Sequence, residues 1–119
     1  MKICVTSSGA TLESPFDNRF GRAPYFIIYN SDDKSFSAID NSVNINASQG
    51  AGIQAAQLIA DSGAKVLLTS NLGPKAGELI YASGIKVYQV ETDSVQKAID
   101  LYLKGELKEL KESNVEGHA

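Results

Sequence analysis

Asp61-Ser62-Gly63-Ala64-Lys65-Val66 and Ala82-Ser83-Gly84-Ile85-Lys86-Val87 share a Ser-Gly-x-Lys-Val core 21 residues apart. Each copy reads as a helix end feeding a strand. Upstream of the first, Gly52, Ala55, Ala56 and Ile59 fall at i, i+3, i+4 and i+7, the apolar stripe of an amphipathic helix that Gly63 terminates. Between the copies, Lys65 to Ser70 is a strand. Pro74 then stands where a first-turn proline belongs, Ala76, Leu79 and Ile80 form a second stripe, and Gly84 is the stop. Beyond the second copy, Ile85 to Val90 is a strand and Asp93 an N-cap. The helix it opens carries Val95, Ala98, Ile99 and Tyr102 on one face and ends at Gly105. Two consecutive helix-strand units require parallel pairing through crossover connections.

The N-terminal half is different. Residues 2 to 7 (KICVTS) form a β-branched strand, followed by a long loop from Ser8 to Ala23; loops of that length are frequently functional. Residues 24 to 30 and 35 to 40 are two strands joined by the turn Ser31-Asp32-Asp33-Lys34, an antiparallel hairpin. A polar stretch, Asn41 to Gln49, leads to the first helix. The predicted order is βββαβαβα, an α/β fold with a mixed sheet and helices packed on it. A single domain is expected over residues 1–107, with 108–119 a charged tail that frays.

Composition narrows the function. The chain has 119 residues, 43% hydrophobic and 21% charged, the profile of one globular domain. Its formal net charge of -3 argues against nucleic acid as a partner, since a phosphate-neutralising face is normally basic. The longest apolar runs, such as Tyr25 to Tyr29, fall far short of the roughly 20 residues that cross a bilayer, so no membrane partner is expected. The first ten residues read as a strand rather than a secretion signal, and a single cysteine forms no intrachain disulfide; a reducing cytoplasm is the expected setting.

Catalytic constellations are hard to assemble. The one histidine, His118, lies next to the C-terminus, so a Ser or Cys nucleophile has no nearby base. Cys4 lies within strand 1 and reads as a small buried hydrophobe, with lone thiolate ligation to a metal the competing reading. Acidic residues are scattered, with none in strand 1, against a two-metal nuclease site.

Binding residues are easier to find. The only two arginines, Arg19 and Arg22, lie in one loop, Asp17-Asn18-Arg19-Phe20-Gly21-Arg22-Ala23-Pro24. Guanidinium presents forked donors suited to oxyanions, so the pair is a candidate anion clamp. The competing reading pairs Arg19 with Asp17 or Glu13 and lets Arg22 cap the next strand. Thr69-Ser70-Asn71-Leu72-Gly73-Pro74 is a strand that breaks into a glycine turn and opens a helix, where free amides and the helix dipole suit an anion. It lacks a complete phosphate-loop motif, and plain helix entry explains it equally. If strands 1 and 4 are parallel neighbours, Ser7-Ser8-Gly9, Asn44 to Gly52 and Asn71 to Pro74 open at the same sheet edge.

These residues resemble the dinitrogenase iron-molybdenum cofactor biosynthesis family. The resemblance runs from Met1 to about Leu107. It is carried by Asp17-x-Arg19-Phe20-Gly21-Arg22-Ala23-Pro24-x-Phe26, Asn71-Leu72-Gly73-Pro74-x-Ala76, Gly84-Ile85-Lys86-Val87-Tyr88 and Ala98-Ile99-x-x-Tyr102-x-x-Gly105. It implies a ribonuclease-H-like βββαβαβα fold without nuclease carboxylates. It also implies non-covalent binding of an anionic metal-sulfur cluster, either an iron-molybdenum cofactor precursor or a molybdenum-copper sulfide, as in small proteins of anaerobes related to nitrogen fixation. Carried over by position, Arg19, Phe20, Gly21, Arg22, Asn71, Gly73 and Pro74 frame the pocket.

Several family members carry His or extra Cys before the first helix, and Asn46 to Gly50 contains neither, so no covalent ligand to the cluster is expected. The leading expectation is a non-catalytic carrier. Arg19 and Arg22 neutralise the cluster, amides of Gly50, Gly52 and Gly73 bond its sulfides, and Phe20 shields it. A cluster-assembly or recipient protein is the expected partner. The alternatives are an interaction module of cluster assembly and a phosphate or nucleotide binder using the same amides.

Overall fold

The computed structural model describes residues 1–45 and 51–114. Its strands are β1 (Lys2–Ser7), β2 (Tyr25–Asn30), β3 (Phe36–Asp40), β4 (Val66–Thr69), β5 (Lys86–Gln89) and β6 (Lys108–Glu109). Its helices are α1 (Ser42–Ile45), α2 (Ala51–Asp61), α3 (Pro74–Ala82) and α4 (Val95–Leu103). The six strands form one mixed sheet in the order β3-β2-β1-β4-β5-β6. Strands β1, β2 and β3 make an antiparallel meander, while β1, β4 and β5 are parallel. The α/β architecture and the order βββαβαβα are as the sequence predicts, with β6 and the single-turn α1 in addition.

Alternation along the strands splits the core into two layers. On one face Cys4, Phe26, Ile28, Leu67 and Val87 pack under α2 and α3, which contribute Ala55, Ala56, Ile59, Ala76 and Ile80. On the other, Ile3, Val5, Ile27, Val66 and Leu68 pack under α4 through Val95, Ala98 and Ile99. The repeated Ser-Gly motif works as read: Gly63 and Gly84 have φ of +83° and +79°, the left-handed geometry that ends α2 and α3 and turns the chain into β4 and β5.

Two boundaries differ from the sequence reading. The N-cap of α4 is Ser94, whose side chain accepts from the Lys97 amide at 3.2 Å. The carbonyl of Asp93 accepts instead from Phe16 N at 3.0 Å, which ties the long N-terminal loop to this corner. The expected fraying of 108–119 does not hold for 108–114. Edge strand β5 pairs antiparallel with β6, Leu110 N donates to Val87 O at 2.7 Å, and the Tyr81 hydroxyl donates to Leu110 O at 2.5 Å. Leu107 and Leu110 pack against opposite core layers. The surrounding lysines and glutamates mask that spacing in the sequence.

Asn41, placed by sequence only in a polar stretch, joins the hairpin to the arginine loop. It is fully buried; its amide donates to Pro24 O at 2.8 Å and its Nδ2 to Ala23 O at 2.9 Å and Gly21 O at 3.4 Å. Its Oδ1 accepts from Asn44 Nδ2 at 2.8 Å. Asn41→Ala strands these buried groups, so urea unfolding should show a loss of about 1–3 kcal/mol with an unchanged slope.

Candidate functional site

The carboxyl ends of the parallel strands β1, β4 and β5 lie at one edge of the sheet, the usual ligand side of open α/β sheets. The arginine loop folds across it. Thr6 holds the loop down: its carbonyl accepts from Asp17 N at 3.2 Å and its hydroxyl donates to Asp17 O at 2.5 Å. Further along, Arg19 bridges to Asn71, and Asn71 N donates to Asn18 O at 3.0 Å, joining the loop to the β4-α3 turn. Gly21 then lies directly on α2: a Cβ added there would stand 3.1 Å from Gly52 Cα and 3.2 Å from Gly52 N. Only glycine allows that approach without moving α2. Position 52 in turn faces Ala76 on α3, 3.4 Å from where a Cβ would stand.

Thus Arg19, Gly21, Gly52 and Asn71 are brought together through direct contacts, and Gly73 and Pro74 follow Asn71 as the N-cap and first residue of α3. That helix has no side-chain cap on its first turn, so the amides of Lys75 and Ala76 lack intrahelical partners. Gly50 and His118 lie outside the described residues.

Two predicted roles change. Phe20 is buried, with its ring centroid 5.4 Å from that of Phe26 in the core beneath α2 and α3. An aromatic side chain at this point of the loop gains more from the core than from the solvent edge, so Phe20 anchors the loop and cannot shield a ligand. Arg19 takes the pairing that competes with an anion clamp. Its Nη2 donates to Asp17 Oδ2 at 2.9 Å, its Nε to Oδ1 at 3.1 Å, and its own amide to Oδ1 at 2.9 Å. These bonds to the nearly buried carboxylate push the Arg19 pKa above its ordinary value. The guanidinium nevertheless remains largely exposed, with the N–H groups of Nη1 directed away from this fork. Arg22 does not cap β2; it is exposed and donates from Nη1 to Ile45 O, the last carbonyl of α1, at 2.6 Å.

Beside the loop is a cavity of about 560 Å³ lined by Phe16, Asp17, Asn18, Arg19, Ser70, Glu91 and Thr92. Ser70 faces it with its hydroxyl donated to Val90 O. Glu91 and Thr92 were not singled out by sequence reasoning; the signal available was their place directly after a parallel strand. The cavity is polar and its charges are mixed, one cation against two carboxylates.

A mixed sheet in the order β3-β2-β1-β4-β5-β6, with its loops collected at the carboxyl edge, makes this a small α/β domain. The model of the dinitrogenase iron-molybdenum cofactor family matches residues 1–105, and the chain belongs to that family. It is similar to the apo form of the orange protein from Desulfovibrio gigas, 40% identical with a TM-score of 0.92 over 96% of each chain. A Thermotoga protein solved by NMR is 35% identical, with a TM-score of 0.85 over 96% of this chain and 97% of that one. An uncharacterized protein of Methanocaldococcus jannaschii is 36% identical over 101 residues, 78% of this chain and 85% of that protein.

Among the described residues no helix is long and apolar enough to cross a membrane, and no group of three or more His, Cys, Asp or Glu is placed to hold a metal ion. Cys4 is fully buried, and desolvation pushes its thiol far above the ordinary cysteine range, so it is protonated at neutral pH. Ellman's reagent should leave the native protein unlabelled at mildly alkaline pH and react fully once the chain is unfolded in guanidinium. Rapid labelling of native protein would contradict this placement.

Proposed function

We propose that this protein is a non-catalytic carrier that holds an anionic metal-sulfur cluster non-covalently at the carboxyl edge of its sheet. The cargo is an iron-molybdenum cofactor precursor or a molybdenum-copper sulfide. The observation that carries the reading is the joining of the loop that holds the chain's only two arginines, through Arg19–Asn71 and Gly21–Gly52, to the β4-α3 turn and α2, next to the start of α3, which has no side-chain cap. Membership of a family named for the iron-molybdenum cofactor, and the likeness to an orange protein solved in its apo form, support the choice of cargo.

Arg22 and the outward N–H groups of Arg19 meet the negative charge, and the amides of Lys75 and Ala76 add donors along the α3 dipole. Asn71, Gly73 and Pro74 shape the approach, and Gly52 lets α2 come close. A recipient protein docks at the same edge, where α1 and the start of α2 carry the exposed apolar side chains Val43 and Ile53.

Anaerobic titration with tetrathiomolybdate, with and without copper(I), followed by visible absorbance and amide NMR shifts, tests the carrier reading. Saturable shifts at residues 17–22, 52 and 71–76 are expected. The Arg19→Ala/Arg22→Ala variant should lose about a hundredfold in affinity, two charged hydrogen bonds at about 1.5 kcal/mol each, with a native amide spectrum. Asp17→Asn should tighten binding by about two- to fivefold, the worth of an ion pair whose cation is largely exposed, because it removes the carboxylate that competes for Arg19. Undiminished affinity in the double variant, or saturable binding of a phosphorylated metabolite with none of the thiometallate, would overturn the assignment.

A further inference from the structure

The C-terminal segment grips the turn that carries Asn71 and Gly73. Asn114 makes three hydrogen bonds to it: Leu72 N donates to Asn114 Oδ1 at 2.9 Å, Asn114 N donates to Leu72 O at 3.2 Å, and Asn114 Nδ2 donates to Ser70 O at 2.9 Å. One residue earlier, the Ser113 hydroxyl donates to Gly73 O at 3.1 Å. The carbonyls of Ser70, Leu72 and Gly73 are therefore all engaged by two adjacent residues. The contact recurs in the sequence of α3 itself. Gly77 is a buried mid-helix glycine, a placement that costs about 1 kcal/mol relative to alanine. A Cβ at Gly77 would collide with Ser113 Oγ, while its other near neighbours, atoms of Leu72, stand at an ordinary 3.6 Å.

We infer that Ser113-Asn114 is a positioning clasp for the anion site: it sets the β4-α3 turn so that amides, not carbonyls, face the ligand. The inference rests on the carrier reading above and adds how that site is held. Carbonyl lone pairs repel an anionic sulfide, and three of them lie within this four-residue turn. The clasp supplies donors to those three, with Gly73 O also taking the first bond of α3 from Gly77 N at 2.8 Å, and it accepts from one amide only, that of Leu72, leaving the first-turn amides of α3 available. The opposite flank is held by Asn71 N to Asn18 O, so the turn is fixed from both sides.

Affinity for tetrathiomolybdate and hydrogen exchange of the Leu72 amide, measured on the full chain, test the clasp. Asn114→Ala should weaken binding by about tenfold, within the usual range of coupling between sites. Reciprocity then requires saturating tetrathiomolybdate to slow Leu72 exchange in the wild-type protein by the same factor, a response that a purely structural tail contact would not give. Gly77→Ala provides a second route: it leaves the tail sequence intact and favours the helix, yet displaces the Ser113 hydroxyl from Gly73 O, and should weaken binding severalfold without lowering the melting temperature. If wild-type protein binds and both variants bind equally well, the clasp is refuted while the carrier reading stands. If the wild-type protein takes up no thiometallate, the carrier reading fails and the coupling falls with it, even where Leu72 is protected from exchange.

Discussion

Strand β1 carries two pairings at once, antiparallel to β2 and parallel to β4, and the rest of the molecule is arranged around that. From the parallel side, β1 and β4 must end at the same edge, and β5, parallel to β4, ends there too. From the antiparallel side, Ser7 lies opposite Tyr25 and Tyr25 opposite Asp40, so the arginine loop, the start of β2 and the end of β3 reach the same place. The convergence of polar loops is thus imposed by the pairing pattern. What the loops then do depends on the side chains they bring to that edge.

An edge crowded with non-repetitive backbone has to satisfy its amides and carbonyls without a ladder. Here a few short polar side chains do so. Asp17 receives the Arg19 amide and fork, Asn41 bonds the carbonyls of Gly21 and Ala23, Ser70 reaches Val90 O, and Asn114 bonds Leu72 and Ser70. Among the described residues no buried side-chain nitrogen or oxygen lacks a partner. The backbone of the edge is thus held by specific bonds where these residues act, while Arg22 and Lys75, the latter in the first turn of α3, are exposed.

The regular part of this fold was legible because it is written in periodicity: the stripes of α2, α3 and α4 and the repeated Ser-Gly exit are one-dimensional signals. Concentration of both arginines in one loop was equally plain, as were Asn71, Gly73 and Pro74. What was not legible depends on partners distant in sequence. Phe20 looks like a lid residue until Phe26 is seen beneath it. Arg19 looks available, yet the competing pairing with Asp17 is what forms. Asn41 and Asn114 carry no local signature, since an asparagine that bonds backbone 18 or 44 residues away reads like any other polar residue. Gly77 is the clearest such case, because its reason is a serine in a segment expected to fray.

If the protein carries a cluster as proposed, the Arg19–Asp17 pair bears on how the cargo is released. A carrier must neutralise its cargo and later surrender it, and a site of unopposed cations favours only the first. With Asp17 nearly buried at 2.9 Å, the charge of Arg19 is partly spent before any ligand arrives. The fork is held in one orientation, so little side-chain entropy is lost when the anion binds. When the cargo leaves, the guanidinium still has a partner and no unpaired charge remains behind. On the proposed reading, the carboxylate trades affinity for reversibility, and Arg22, whose bond is to a neutral carbonyl rather than a counter-ion, supplies the uncompensated attraction.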